Sequence, residues 1–237
     1  MFYLPIIPRL QRLFASTHIA DKMTWHYYNK TNSGVMQHPC DGVAWKHFDQ
    51  VHRDFAEEPR NVRLGLCSDG YIPYIQASST PYSCWPILLT PYNLPPKMCM
   101  SKPYLFLSCI VPGPTSPLDG IDVYLQPLID DLKRLWFGES TYDIARKENF
   151  RMRAALMWTI NDFPAYGMLS GWSTHGRLAC PHCMEHTKAR WLDHGRKHSW
   201  FDCHRPFLPA THEFRKKRNL FSKGKTEKDG PPRRTTS

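Results

Sequence analysis

The chain has 237 residues, a hydrophobic share of 41%, an aromatic share of 13% and a mean hydropathy of −0.51, which is enough apolar material for a sizeable core. No run approaches the ~18 consecutive apolar residues of a membrane span, and Met1 to Leu10 lacks the basic-then-apolar order of a signal peptide. A formal net charge of +10 favours polyanionic partners, nucleic acid first among them.

Residues 1–60 read as a mixed N-terminal extension. Leu10, Leu13 and Phe14 give one amphipathic helical turn after Pro8, with Arg9 and Arg12 on the other side. Trp25-His26 and His38-Pro39-Cys40-Asp41-Gly42 read as loops, and Ala44 to Phe48 as a short helix. His26 and His38 are expected at the surface or in hydrogen bonds rather than as metal ligands.

Residues 61–171 carry the regular pattern. A first strand runs from Asn61 to Ser68 and stops at Asp69-Gly70. After a polar loop, Tyr82 to Thr90 reads as a second strand whose Pro86 points to an edge or a bulge. Tyr104 to Val111 is a third, with almost no polar residues, as expected of burial on both faces. Leu125, Leu128, Ile129, Leu132 and Leu135 then share one helical face, with Asp130, Asp131, Lys133 and Arg134 opposite. Pro127 must lie in the first turn, so the helix is expected to start near Leu125. Polar residues from Gly138 to Asn149 link it to a fourth strand, Met152 to Ile160, which ends at Asn161-Asp162.

The two strand-ending aspartates are the candidate site. A carboxylate at the tip of an apolar strand leaves the core as it reaches solvent, so Asp69 and Asp162 can share a divalent cation without being buried unpaired. Two divalent ions bridged by carboxylates are the apparatus of in-line phosphoryl transfer, and Mg2+ or Mn2+ prefer such hard oxygen ligands. Each aspartate taken alone also fits an ordinary turn. Asp122, Asp130 and Asp131 compete weakly, the last two falling on the solvent face of the helix.

Residues 172–214 lose apolar periodicity and gain cysteine and histidine. Cys180-Pro181-His182-Cys183 has the spacing that lets two thiolates chelate one tetrahedral Zn2+, and His204 and His212 follow at loop-closing distance. His182, His186, His194, His198 and Cys203 are alternative ligands, and structurally inert cysteines are the alternative reading. Lys188, Arg190, Arg196 and Lys197, interleaved with Trp191, Trp200 and Phe201, fit either a phosphate-tracking, base-stacking surface or a solvated basic face. Cys40, Cys67, Cys84, Cys99 and Cys109 lie in apolar or turn contexts and are expected as free thiols. Residues 215–237, opening with Arg215-Lys216-Lys217-Arg218, read as a disordered basic tail of the kind that serves nuclear import or nucleic-acid contact.

Several long motifs resemble the CACTA (En/Spm) class of DNA transposases. They include Arg60-Asn61-Val62-Arg63-Leu64-Gly65-Leu66-Cys67-Ser68-Asp69-Gly70, Tyr82-Ser83-Cys84-Trp85-Pro86 and Asp122-Val123-Tyr124-Leu125-Gln126-Pro127-Leu128. The likeness continues through Trp158-Thr159-Ile160-Asn161-Asp162-Phe163-Pro164-Ala165-Tyr166-Gly167, Ala179-Cys180-Pro181-His182-Cys183 and His204-Arg205-Pro206-Phe207-Leu208-Pro209. The resemblance implies an α/β ribonuclease-H-like core, a mixed sheet with a helical crossover, carrying a Cys/His zinc-type insertion and a basic tail. It implies a cut-and-paste transposase that works on DNA transposon ends in the nucleus, with other transposase chains and without a membrane. Asp69 and Asp162 match its first two acids. Its third acid is expected in a helix beyond the Cys/His segment, and Ser237 comes first; Glu185, Glu213 and Glu227 are poor substitutes. The expectation is therefore a catalytic-core fragment, inactive alone, with a non-catalytic zinc-stabilised DNA-binding protein or relic as the alternative.

Overall fold

The structure, a computed structural model, describes residues 1–29, 35–73, 82–181, 183–187, 189–200, 205–218 and 226–231. The chain divides into two compact units, Met1–Ala165 and Tyr166–Ser237.

The first unit runs β1 (Phe2–Tyr3), α1 (Ile7–Phe14), α2 (Trp25–Tyr28), α3 (Val43–Val51), α4 (Arg53–Ala56), β2 (Val62–Ser68), β3 (Trp85–Pro91) and α5 (Pro96–Cys99). It continues through β4 (Phe106–Val111), α6 (Ile121–Phe137), β5 (Glu139–Asp143), β6 (Glu148–Met152) and β7 (Ala154–Ile160), and α7 (Phe163–Ser170) begins at its end. Five strands form one mixed sheet in the order β1-β4-β3-β2-β7. β2, β3 and β4 make an antiparallel meander, and β7 returns parallel beside β2. A mixed sheet with a helical crossover is what the resemblance implies, and α6 is that crossover. Val62, Leu64, Leu66, Ile87, Leu89, Cys109 and Val111 are buried in the sheet.

One expectation holds and two elements depart from theirs. β3 is an inner strand, so of the edge or bulge that Pro86 implies the structure has the bulge. Pro86 is tolerated because the β2 ladder stops at the Ser68–Ile87 pair and the β3–β4 register shifts between Ile87 and Leu88. α6 begins at Ile121, four positions before Leu125, with Pro127 inside it. An interior proline costs about 3 kcal/mol, and burial of Ile121, Leu125, Leu128 and Leu135 along the same helix offsets that cost. The stretch expected as a polar link, Gly138 to Asn149, forms with the next three residues the β5–β6 hairpin, so Met152 ends β6 and does not begin β7. Its inward positions, Thr141, Asp143, Phe150 and Met152, are buried, but two of the four are polar, which hides the alternation.

Buried charge ties these pieces together. Arg60 bonds Glu58 at 2.7 Å, Glu148 at 2.8 Å and Asp143 at 3.3 Å, and lies 4.0 Å above the Phe150 ring, so it clamps the hairpin onto the unit. Arg63 points out of β2 into an aromatic box of Trp45 and Phe55, where it bonds Asp49 at 2.6 Å and contacts His26 Nε2 at 3.3 Å. Burial pulls its guanidinium below the ordinary range while Asp49 pushes back. His26 and His38 are both buried among these helices, not at the surface. Asp131 is likewise not a solvated helix residue. It accepts from the Tyr3 hydroxyl at 2.5 Å and fixes β1, and burial, reinforced by this bond, pushes the phenol well above its usual range.

The second unit has few apolar anchors. Ala179 and Pro206 are its buried apolar side chains among the described residues, and β8 (Ala189–Leu192) pairs with β9 (Lys197–Trp200) as a hairpin. Arg215 does not open a solvated tail. It is buried, and its guanidinium donates to the carbonyls of Arg205, Pro206, Leu208 and Asp229. Among the described residues no helix is long and apolar enough to cross a membrane.

Candidate functional site

The site begins with two parallel strands that end together. β2 and β7 pair from Val62–Ala154 to Cys67–Ile160, so Asp69 and Asp162 each stand two residues beyond the last pair. This alignment depends on a bulge. Leu64 pairs with Leu156, but Gly65 pairs with Trp158, so Met157 is an extra residue in β7. Because side chains alternate faces with period two, an unbulged β7 would set Asn161, not Asp162, level with Asp69. Gly65 leaves room for the Tyr92 ring, which a Cβ there would meet at 2.3 Å.

The turn after each strand holds its aspartate in place. Past Asp69, a Cβ on Gly70 would stand 2.9 Å from the Trp85 indole, and Tyr71 and Cys84 exchange two backbone hydrogen bonds of 2.8 Å. Past Asp162, the chain enters α7 with Pro164 in its first turn, and Asp162 Oδ1 accepts from the Ala165 amide at 3.0 Å. One carboxylate oxygen of Asp162 thus caps a helix, and the other lies outside that bond. The turn reading and the site reading describe the same residues.

Asp69 and Asp162 are exposed and line one cleft of about 300 Å³, with Cys67, Ser68, Pro86, Leu88, Ile160 and Asn161. Asn161 Oδ1 accepts from the Ser68 amide at 3.0 Å and staples the two strand ends. Ser68 Oγ and Asn161 Nδ2 are buried there with no hydrogen-bond partner among the described residues. Sequence reasoning gave these two no role, and their only signal was a small polar residue just before each acid. Burial, helped by the Asp69 charge, pushes the Cys67 thiol up, so it stays neutral. The cleft therefore offers two exposed carboxylates, hard oxygen donors suited to a divalent cation. Asp122 is exposed in the first turn of α6, Asp130 bonds Gln126 at 2.8 Å, and Asp131 holds Tyr3; none lines the cleft.

In the second unit the Cys180 and Cys183 sulfurs lie close, and the Cys183 amide donates to Cys180 Sγ at 3.2 Å. Burial, then the hydrogen bond and charge of Cys180, push the Cys183 thiol up to about 11. A tight turn follows, with Met184 at φ 48° and its amide bonded to the Cys180 carbonyl at 2.7 Å. His182, Cys203 and His204 lie outside the described residues, as do Lys188 and Phe201. His212 caps a short turn, its Nδ1 accepting from the Phe214 amide at 3.2 Å. His186 sits 3.6 Å from Glu185, and the His198 ring packs on Trp191. Among the described residues, no group of three or more His, Cys, Asp or Glu side chains is placed to hold a metal ion. Glu185, Glu213 and Glu227 all lie in this second unit. Cys99 and Cys109 are buried, and Cys40, Cys67 and Cys84 half-buried; all five are free thiols.

A family model described as transposase family tnp2 matches residues 33–237, which include both units' candidate residues. No curated protein and no solved structure matches the chain.

Proposed function

We propose, on the premise that this chain belongs to the transposase family tnp2, that it is part of the catalytic core of a cut-and-paste DNA transposase of the CACTA (En/Spm) type. The antiparallel meander, the α6 crossover and the parallel β7 support a ribonuclease-H-like core. The observation that carries the reading is the common register of Asp69 and Asp162, two residues past the Cys67–Ile160 pair and on one cleft.

In this reading Asp69 and Asp162 hold Mg2+ or Mn2+. Bound in pairs, such ions activate a water or 3′-hydroxyl and stabilise the leaving oxygen of a phosphodiester. The chain's own part is positional. The strand ends, stapled by the Ser68 amide donating to Asn161 Oδ1, keep the carboxylates level. Cys180 and Cys183, with His204 and His212, hold a structural Zn2+ in the second unit. The partners are DNA transposon ends and other transposase chains, in the nucleus.

No third carboxylate joins the two acids among the described residues, so the chain alone is expected to bind Mn2+ weakly and to show no strand transfer. The test is Mn2+ titration followed by electron paramagnetic resonance. Binding should disappear in Asp69→Asn/Asp162→Asn; unchanged binding removes the assignment. The same absence of a third acid favours a second reading, a non-catalytic zinc-stabilised DNA-binding protein. Metal-dependent nicking of transposon-end DNA by the chain, abolished by Asp69→Ala, would exclude it.

A further inference from the structure

The tip and outer face of the β5–β6 hairpin carry positive charge that closes no ion pair among the described residues, although Arg146 acts on Glu58 through its charge at longer range. Register places Ser140 opposite Arg151 and Tyr142 opposite Asn149 on its outer face, while Thr141, Asp143, Phe150 and Met152 face the core. Every carboxylate of the hairpin is engaged. Asp143 bonds Arg60 and accepts from the Ala145 and Arg146 amides, Glu148 bonds Arg60, and Glu139 bonds Arg134 at 2.8 Å. Arg146 and Lys147 at the tip and Arg151 on the outer face are exposed, and none has a carboxylate within ion-pairing distance among the described residues. Tyr142 lies between them, 48% exposed.

The hairpin is also held rigidly, which a contact surface requires if binding is not to cost ordering entropy. The Ile144 amide donates to the Phe14 carbonyl at 3.1 Å, and Gln11 Nε2 to the Ser140 carbonyl at 2.9 Å. Phe150 packs edge-on against Phe14 at 5.0 Å beneath the Arg60 guanidinium. The Arg151 stem lies across Gly138, where a Cβ would stand 2.5 Å from its Cγ. Two positive side chains at a fixed tip and a third on the adjoining exposed face, with a phenol and an amide between, suit a row of phosphates. Phosphate recognition of this kind orients a duplex without reading its bases.

We propose that the outer face and tip of the β5–β6 hairpin contact the phosphate backbone of double-stranded DNA through Arg146, Lys147 and Arg151. This rests on the reading that the chain works on DNA, but not on Asp69 and Asp162. The test is fluorescence anisotropy of the full chain with a random-sequence duplex across a salt series. Arg146→Gln/Lys147→Gln/Arg151→Gln should weaken binding about tenfold and lower the slope of log affinity against log salt by about 2–3, near one per lost phosphate contact. Arg146→Lys/Arg151→Lys should bind close to the parent, and all variants should melt at the parent's temperature. Equal affinity and slope for the glutamine variant overturns the proposal, as does a parent chain that shows no salt-dependent duplex binding. So does equal competition by polyglutamate at matched charge, which would point to an acidic protein instead. Binding is measured without added Mg2+ or Mn2+, where the Asp69–Asp162 site holds no cation, so failure of the hairpin and failure of the metal site are read separately.

Discussion

The two units of this chain reach order by different means. The first buries Phe14, Phe55, Leu64, Ile87, Leu89, Leu94, Ile121 and Leu128 completely, and apolar burial at about 25 cal/mol per Å² is its main stabilising term. The second, Tyr166–Ser237, buries Ala179 and Pro206 among its described residues, and otherwise arranges backbone around Arg215, whose guanidinium meets four carbonyls. The contrast teaches where stability can come from when a segment lacks a core: fixed polar bonds, and a cross-link such as a metal.

The largest effect follows from that contrast. If the second unit depends on Zn2+ at Cys180 and Cys183, chelation or Cys180→Ser should unfold it, a change on the order of 10 kcal/mol. Limited proteolysis should then digest the chain down to the first unit. Persistent protection of residues 166–218 without metal would break the comparison. Within the first unit, Asp49→Ala should cost about 3 kcal/mol in urea unfolding, because it strips the carboxylate from a buried guanidinium. A cost near zero would mean that the aromatic box alone carries Arg63.

Asp162 separates structure from site on a smaller scale. Asp162→Ala should cost about 1 kcal/mol through the lost α7 cap and also abolish Mn2+ binding. Asp162→Asn should keep the cap and still lose the metal; if both variants keep Mn2+, the acid is only a cap. The smallest effect is acid sensitivity at Glu58. Burial pushes that carboxyl up, but the hydrogen bonds from Arg60 outweigh it and hold the group below its ordinary value of 4.5. Its contribution is therefore present above pH 4.5 and lost as pH falls through the depressed value. Glu58→Gln should flatten that stretch of the stability–pH curve, and an unchanged curve would place the acid response elsewhere.

Much of the first unit was legible in the order of residues. The apolar runs ending at Ser68 and Ile160 named β2 and β7, and the leucine face from Leu125 to Leu135 named α6. Asp69 and Asp162 stood out because each terminates such a run. The β5–β6 hairpin did not, since Asp143 and Thr141 occupy inward positions where the pattern expects apolar residues, and Arg60, the partner of Asp143, is 83 residues away in sequence. The start of α6 was misplaced because Pro127 is a local signal, while the burial of Ile121 that overrides it is a tertiary contact.

By itself, then, the sequence determined the four long strands β2, β3, β4 and β7, which helix crosses over, and which acids sit at strand tips, because periodicity and strand-ending turns are local properties of the chain. Only the tertiary structure decided that those acids are level. One extra residue, Met157, shifts the β7 register by a single position, and a single position is the difference between one face of a sheet and the other. No local pattern records that shift, since it is set by how β7 seats against Gly65 and Tyr92 across the ladder.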